Sequence, residues 1–310
     1  MGEDDKKMNV YQEIGIPPED CKIAEIGFRM DKGIAEIKDQ IEDYRKKIET
    51  EVDFDSKNHL YYCKKNGIFL TGVTTILNVR RKDFLQWWTV KECAKYLGWF
   101  DKKEKDETLL NNLIKRHSEI ISMDVDSYWR ELDRAKKAHT VKSDKGKEKG
   151  SVVHEWIKNY IRGVQQPTPS DEEVLSCVQA FLNWESQHKI EWLVSEMIVW
   201  SPIHLFAGTL DFLCILDGRF TLGDIKTSNM ISEEYFLQTG AYDLCLEEAD
   251  IIPEQRLIVR ISKDGSGFEA MIVPTSLDFD CKTFLHLREA YRWNLYVQNF
   301  KDDKGKIILG

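Results

Sequence analysis

Residues 208–226 read Gly208-Thr209-Leu210-Asp211-Phe212-Leu213-Cys214-Ile215-Leu216-Asp217-Gly218-Arg219-Phe220-Thr221-Leu222-Gly223-Asp224-Ile225-Lys226. The stretch predicts two strands joined by a tight turn. Leu210 to Leu216 is apolar except for Asp211, Asp217-Gly218 is a strong hairpin dipeptide, and Phe220 to Ile225 forms the return strand. Side chains alternate across a strand, so Asp224 and Lys226 share one face while Ile225 turns into the core. Asp211 stands six residues before the turn pair and Asp224 six after it. The hairpin therefore sets the two carboxylates nearly opposite each other, with a lysine beside them.

Like charges directly opposite on paired strands repel. Two carboxylates so placed call for a cation, and an oxygen-rich site suits Mg²⁺ or Mn²⁺. A lysine beside such a metal can position a water or stabilise developing negative charge. The combination fits metal-assisted attack on a phosphodiester. The plainer alternative is an ordinary hairpin with solvated charges on its outer face, which would suffice for a single aspartate.

Asp211 followed by Asp224-Ile225-Lys226 resembles the D…(D/E)-x-K signature of the PD-(D/E)XK nuclease superfamily. The longer strings Ala207 to Asp211 and Gly223 to Thr227 are similar to its RecB-type exonuclease branch, which includes phage and mitochondrial enzymes. Three other places carry the resemblance. Tyr62, Asn66-Gly67 and Val73-Thr74-Thr75-Ile76-Leu77 resemble the branch's N-terminal part. Gly150-x-x-x-His154 resembles the motif whose histidine joins the metal shell. Gln238-x-x-x-Tyr242, following Asp-x-Lys in order, resembles the pair that flanks the active site and touches DNA or a catalytic water. Spacing alone says only that Gln238 and Tyr242, four apart, share a helix face.

The resemblance covers about residues 58–298. It implies an α/β fold, PD-(D/E)XK nuclease-like, with a mixed central sheet flanked by helices. It also implies a metal-dependent deoxyribonuclease, an exonuclease rather than a sequence-specific endonuclease, in DNA recombination, repair or replication. Asp211, Asp224, His154 and the Ile225 carbonyl would hold Mg²⁺ or Mn²⁺. Lys226 would orient the attacking water, and Gln238 and Tyr242 would position the strand. Glu196 resembles the acidic residue that opens the preceding strand. It is expected either in the metal shell, or polarising a water, or as a satisfied charge on an edge strand. Some relatives carry an iron–sulfur cluster on clustered cysteines near the C-terminus; those ligands are missing here, so no cluster is expected. The alternative class is a catalytically silent nucleic-acid-binding protein or adaptor on the same fold.

Outside the motif the chain falls into segments. Residues 1–57 form an acidic, largely helical N-terminal extension, residues 58–300 the nuclease domain, and residues 301–310 a short tail. Residues 1–55 hold 16 carboxylates against 9 basic side chains, most of the chain's net charge of -9. That charge does not exclude nucleic acid, because distribution outweighs the sum. Ile34, Ile37, Ile41, Tyr44 and Ile48 repeat at helical spacing. The stripe suits a coiled-coil seam, a protein partner bound through the helix at 30–50, or a helix folded back on the body.

The residues expected to touch DNA, as a single strand or at its ends, are Arg80, Arg81, Lys142, Lys145, Lys147 and Lys149. The first two precede Trp87-Trp88, which suit either base stacking or a core. The last four lie in a basic stretch, 134–149, broken by Gly146 and Gly150. It reads as a flexible loop that either holds phosphates or is merely solvated. A helix capped by Ser151 is expected after it and would carry His154.

With 31% charged and 42% apolar residues, the chain reads as soluble and globular. No apolar run approaches the ~18 residues of a membrane helix, and the first residues lack the apolar core of a signal peptide. The seven cysteines are scattered and odd in number, which suits buried thiols in a reducing compartment. Those observations predict a cytoplasmic protein, or one of the host cytoplasm if viral, with no membrane partner.

Overall fold

The computed structural model describes residues 33–80, 83–99, 105–263 and 265–298. The elements are α1 (Ile34–Glu51), β1 (Val52–Asp55), β2 (Leu60–Cys63), β3 (Ile68–Gly72), α2 (Val73–Leu77), α3 (Asp83–Tyr96), α4 (Glu107–Ile121) and α5 (Val125–Ile161). They continue with α6 (Glu172–Glu185), β4 (Ile190–Ser201), β5 (Phe206–Leu216), β6 (Arg219–Thr227), α7 (Glu233–Glu247), β7 (Gln255–Ile261), β8 (Phe268–Ile272) and α8 (Leu277–Gln298). The described residues divide into two compact units, one made of those up to 80 and from 153 on, the other of those between.

The first unit is mixed α/β. Its strands join in one sheet in the order β1-β2-β3-β5-β6-β7-β8, with β4 also paired to β5. The β3–β5 and β6–β7 pairs are parallel and the others antiparallel. Alternation along β5 feeds two cores. Leu213 and Ile215 enter one with residues of α1, α2, α7 and α8. Phe212, Cys214 and Leu216 enter the other with Val153 and Ile157 of α5 and with α6. Helices therefore cover both faces.

β4 runs along β5 from residue 206 to 216. The other edge of β5 is shared: β3 pairs at Phe206 and Ala207, and β6 pairs from Phe212 to Leu216. Residues 208–211 on that edge lie where the two neighbours part, and β6 runs on from there alongside β7. This fork places the two motif strands. The turn between them has φ 49° at Asp217 and 85° at Gly218, both left-handed as a two-residue type I′ turn requires. His188 Nδ1 lies 2.7 Å from the Asp217 carboxylate, which also accepts from the Lys189 N–H at 2.9 Å.

α7 crosses between β6 and β7 and is pinned from behind. Arg256 of β7 donates to the Phe236 carbonyl at 3.1 Å and to Asp280 of α8 at 2.7 Å, and its Nε lies 3.9 Å from Asp243. The Thr275 hydroxyl donates to the same Asp280 oxygen at 2.6 Å. The three charged groups of this network, Arg256, Asp243 and Asp280, are all buried. A buried charge left without its partner is costly, so the network fixes where α7 lies.

Of the alternatives for the apolar stripe of α1, the structure shows the helix folded back on the body: Ile37, Ile41, Tyr44 and Ile48 are buried in the sheet's core, and the Tyr44 hydroxyl accepts from the Trp200 N–H at 3.3 Å. Other expectations are corrected. The boundary expected at 57/58 thus separates no two cores, since α1 and β1 belong to the same unit as the sheet. The loop expected at 134–149 is helix throughout, inside the 37-residue α5. Gly146 and Gly150 do not interrupt it, and Ser151 donates back to Lys147 O at 2.9 Å instead of capping. The β2–β3 hairpin turns through four residues, 64–67, of which only Gly67 is left-handed.

The second unit holds α3, α4 and most of α5. Its polar centre is Glu131, buried between Arg116 and Arg134 and accepting from the Tyr96 hydroxyl at 2.9 Å. Trp87 is exposed, whereas Trp88 packs edge-on to His139.

Among the described residues no helix is long and apolar enough to cross a membrane. Cys63, Cys177, Cys214, Cys245 and Cys281 are buried free thiols and Cys93 is half-buried; Cys21, with the rest of residues 1–32, lies outside the described residues, as does the 301–310 tail.

Candidate active site

The last rung of the β5–β6 hairpin pairs Phe212 with Gly223. Asp211 and Asp224 follow one step beyond, facing each other at the fork. An Asp211 oxygen accepts a 2.6 Å hydrogen bond from the Ile225 N–H, so it takes over a backbone donor that the diverging strand no longer pairs. Asp224 is 1% exposed. Ile225 turns into the second core, and Lys226 comes back to the face of Asp224. Its ammonium lies 2.6 Å from Asp224 Oδ2 and 5.2 Å from the centre of the Tyr235 ring. The contact with Oδ2 is a short ion pair to a buried carboxylate.

α7 supplies the next layer. Gln238 Nε2 donates to the Tyr242 hydroxyl at 2.8 Å and reaches Asp224 Oδ1 at 3.4 Å. Both residues are buried, on the one face their spacing gives. Gly208 makes room for them, because a Cβ there would come within 2.5 Å of the Tyr242 ring and 3.2 Å of Val73. Tyr61 of β2 shares a 2.9 Å hydrogen bond with Thr209 on the same stretch of β5.

α5 brings His154, whose Nδ1 lies 3.9 Å from Asp211 Oδ2. Val153 and Ile157 anchor this part of the helix in the second core. Glu196 sits in β4 between the rungs Ser195–Phe212 and Met197–Leu210, and so across from Asp211. Its φ is 50°, a left-handed backbone that costs a side-chain-bearing residue about 1–2 kcal/mol. Its carboxylate lies 3.1 Å from Lys158 Nζ and 4.0 Å from Arg162 Nη2. Of the expectations for Glu196, the one this geometry matches is a paired charge on an edge strand. Lys158 and Arg162 were not foreseen; the signal was their spacing of four and eight residues from His154, which repeats one helix face.

Burial sets the electrostatics. It raises the Asp224 carboxyl to about 6, Lys226 works against the rise, and the neighbouring Asp211 adds to it. Asp211 is raised as well, again first by burial. Burial opposes the Lys226 ammonium, but the two aspartates outweigh it and raise its pKa. His154 is lowered to about 4 by burial and then by Lys226. At neutral pH the imidazole is neutral and Lys226 is charged.

Oxygen donors with a neutral imidazole fit a hard divalent cation in kind. One ammonium, Lys226 against Asp224 Oδ2 at 2.6 Å, leaves the two carboxylates together one positive charge short. Asp211, Asp224, His154 and the Ile225 carbonyl are the groups that could hold such an ion. Among the described residues, no three His, Cys, Asp or Glu side chains converge as a ready-made metal cage; the Lys226 ammonium stands against Asp224 instead.

Of the residues expected to touch DNA, Arg80 belongs to the first unit and Lys142, Lys145, Lys147 and Lys149 to the second. Arg80 ends the turn after α2, its N–H bonded to the Leu77 carbonyl at 3.1 Å; Arg81 lies outside the described residues. Lys142, Lys145 and Lys149 fall at spacings of three and four along α5 and share a face that Lys147 does not. Lys142 is 2.9 Å from Glu92, and Lys147 is 3.4 Å from Asp144.

A scan against protein-family models finds no match, and a search of curated protein sequences finds none either.

Proposed function

We propose that the chain is a Mg²⁺- or Mn²⁺-dependent deoxyribonuclease with a PD-(D/E)XK nuclease-like fold, acting as an exonuclease of the RecB type. The observation that carries the reading is one cluster: Asp211 and Asp224 at the hairpin fork, Lys226 beside them, and Gln238 with Tyr242 closing over Asp224. Four elements, β5, β6, α7 and α5, contribute to it once His154 is counted. A plain hairpin would have no use for a helix that buries a glutamine and a tyrosine on its carboxylates.

Asp211, Asp224, His154 and the Ile225 carbonyl would hold the cation. When bound, it would offset the two carboxylates and polarise the phosphodiester. Lys226 carries its proton at neutral pH, so it is a donor and not a base. It would orient the attacking water through the water's lone pair and stabilise charge on the phosphoryl oxygens. The water oxygen bonds to phosphorus, one phosphorus–oxygen ester bond breaks, and the departing oxygen ends protonated. Gln238 would keep Asp224 and Tyr242 in register while the strand is held.

A second reading is favoured by one observation. The Lys226 ammonium already neutralises Asp224 at 2.6 Å, as it would in a silent nucleic-acid-binding protein or adaptor. The two readings separate in one assay. End-labelled linear single- and double-stranded DNA and closed circular DNA are incubated with Mg²⁺, Mn²⁺ or EDTA, beside Asp224→Ala and Lys226→Ala proteins. The nuclease reading expects metal-dependent loss of linear DNA only, absent in both variants. Full cleavage by either variant would refute the assignment, and DNA bound but never cut would establish the silent protein.

A further inference from the structure

We propose that Lys158 and Arg162 form a phosphate-binding subsite for the nucleic-acid backbone, and that Glu196 occupies it while no nucleic acid is bound. The inference rests on the functional reading above and extends it to residues that the motifs do not include.

Three observations support it. First, His154, Lys158 and Arg162 succeed one another at intervals of four on α5, so they share a face and advance by about 6 Å per step. His154 stands 3.9 Å from Asp211, so the two cations continue a line that begins at the carboxylates. Second, both cations converge on one oxygen of Glu196, at 3.1 and 4.0 Å. A carboxylate and a phosphate present similar oxygens to ammonium and guanidinium groups. Third, Glu196 reaches them from a left-handed backbone in the middle of a strand. Strained conformations persist where surrounding contacts hold them and gather at working sites. The Glu196 side chain is 39% exposed, so its carboxylate can move into water.

The partners of each cation are compatible with such an exchange. Lys158 also contacts Glu155 at 2.5 Å, so it keeps one carboxylate when Glu196 departs. The Arg162 guanidinium donates to the Ser195 carbonyl at 3.1 Å, which holds it against β4 whichever anion it faces. A phosphate entering here displaces the Glu196 carboxylate into water and takes both cations, placing the strand beside Asp211.

The test is binding, measured by fluorescence anisotropy of a labelled 20-nucleotide single strand in EDTA over a range of salt. The proteins are the parent, Lys158→Met, Arg162→Met, Lys158→Arg and Glu196→Gln. Each methionine variant is expected to weaken binding several-fold at low salt and to flatten the slope of log affinity against log salt by about 0.7. Lys158→Arg should restore the slope, and Glu196→Gln should bind more tightly than the parent. A structural triad would instead make Glu196→Gln weaker together with the methionine variants, and that result overturns the proposal. Parent-like affinity in both methionine variants overturns it too. If the parent cleaves DNA while these variants bind as it does, this inference alone fails; if the parent neither cuts nor binds DNA, the functional reading falls with it.

Discussion

Asp211 accepts a 2.6 Å hydrogen bond from the backbone N–H of Ile225. One of the two motif carboxylates is therefore tied to the backbone beside the other, and its charge and its acceptor role can be tested apart. Asp211→Ala leaves a buried N–H unpartnered and should lose about 1–3 kcal/mol of stability. Asp211→Asn keeps an acceptor and loses the charge that burial disfavours, so its stability should stay within about 1 kcal/mol of the parent. Both should abolish metal-dependent cleavage. Urea denaturation with the DNA assay reads the two effects; equal destabilisation by Ala and Asn would show that the hydrogen bond contributes nothing.

Gly208 and Tyr242 make a second pair. An alanine Cβ at 208 would stand 2.5 Å from the Tyr242 ring, too close to be tolerated without moving the ring or α7. Overpacking of this kind costs typically 1–3 kcal/mol. Because the ring's hydroxyl is held by Gln238, the displacement reaches Asp224. Gly208→Ala should thus lose activity well beyond its loss of stability at a temperature where it remains folded. Activity that simply tracked the folded fraction would separate Tyr242 from the chemistry.

Asp243 gives a pH dependence with a definite sign. Burial raises its carboxyl from 3.8 to about 7, with Arg256 opposing. The folded protein therefore keeps a proton that the unfolded chain releases. Stability attributable to this group declines as pH rises from about 4 to about 7 and is level above that. Asp243→Asn should flatten that decline and be more stable than the parent near pH 7.5, while Arg256 retains Asp280. Unfolding midpoints between pH 4.5 and 8 in EDTA measure it, and parallel curves for the two proteins would contradict it.

The continuity of α5 can be checked at Lys145, an exposed position near the middle of the helix. Proline inside a helix removes a hydrogen bond and clashes with the preceding turn, at a cost of about 3 kcal/mol or more. Lys145→Pro should lower helical ellipticity and stability. A loop at 134–149 would accept the same change with little effect.

The hairpin, the pairing of Asp211 with Asp224, and the shared face of Gln238 and Tyr242 were legible in the sequence. Each follows from a local period: two residues per strand repeat, a turn dipeptide that needs left-handed φ, and four residues per helical step. What those periods do not encode is which face meets which element. That Gln238 turns toward Asp224 was decided by packing, through Gly208 and the buried Arg256 network. The same holds for the α1 stripe, whose spacing allows a partner, a coiled coil or the chain's own sheet; only the tertiary structure chose the sheet. The basic stretch misled because glycines and clustered lysines weaken a helix locally, whereas α5 is anchored at both ends, by Glu131 in one unit and by Val153 and Ile157 in the other. Glu196, Lys158 and Arg162 come together through a strained residue in a strand and a helix far along the chain, and no local pattern announces such a meeting.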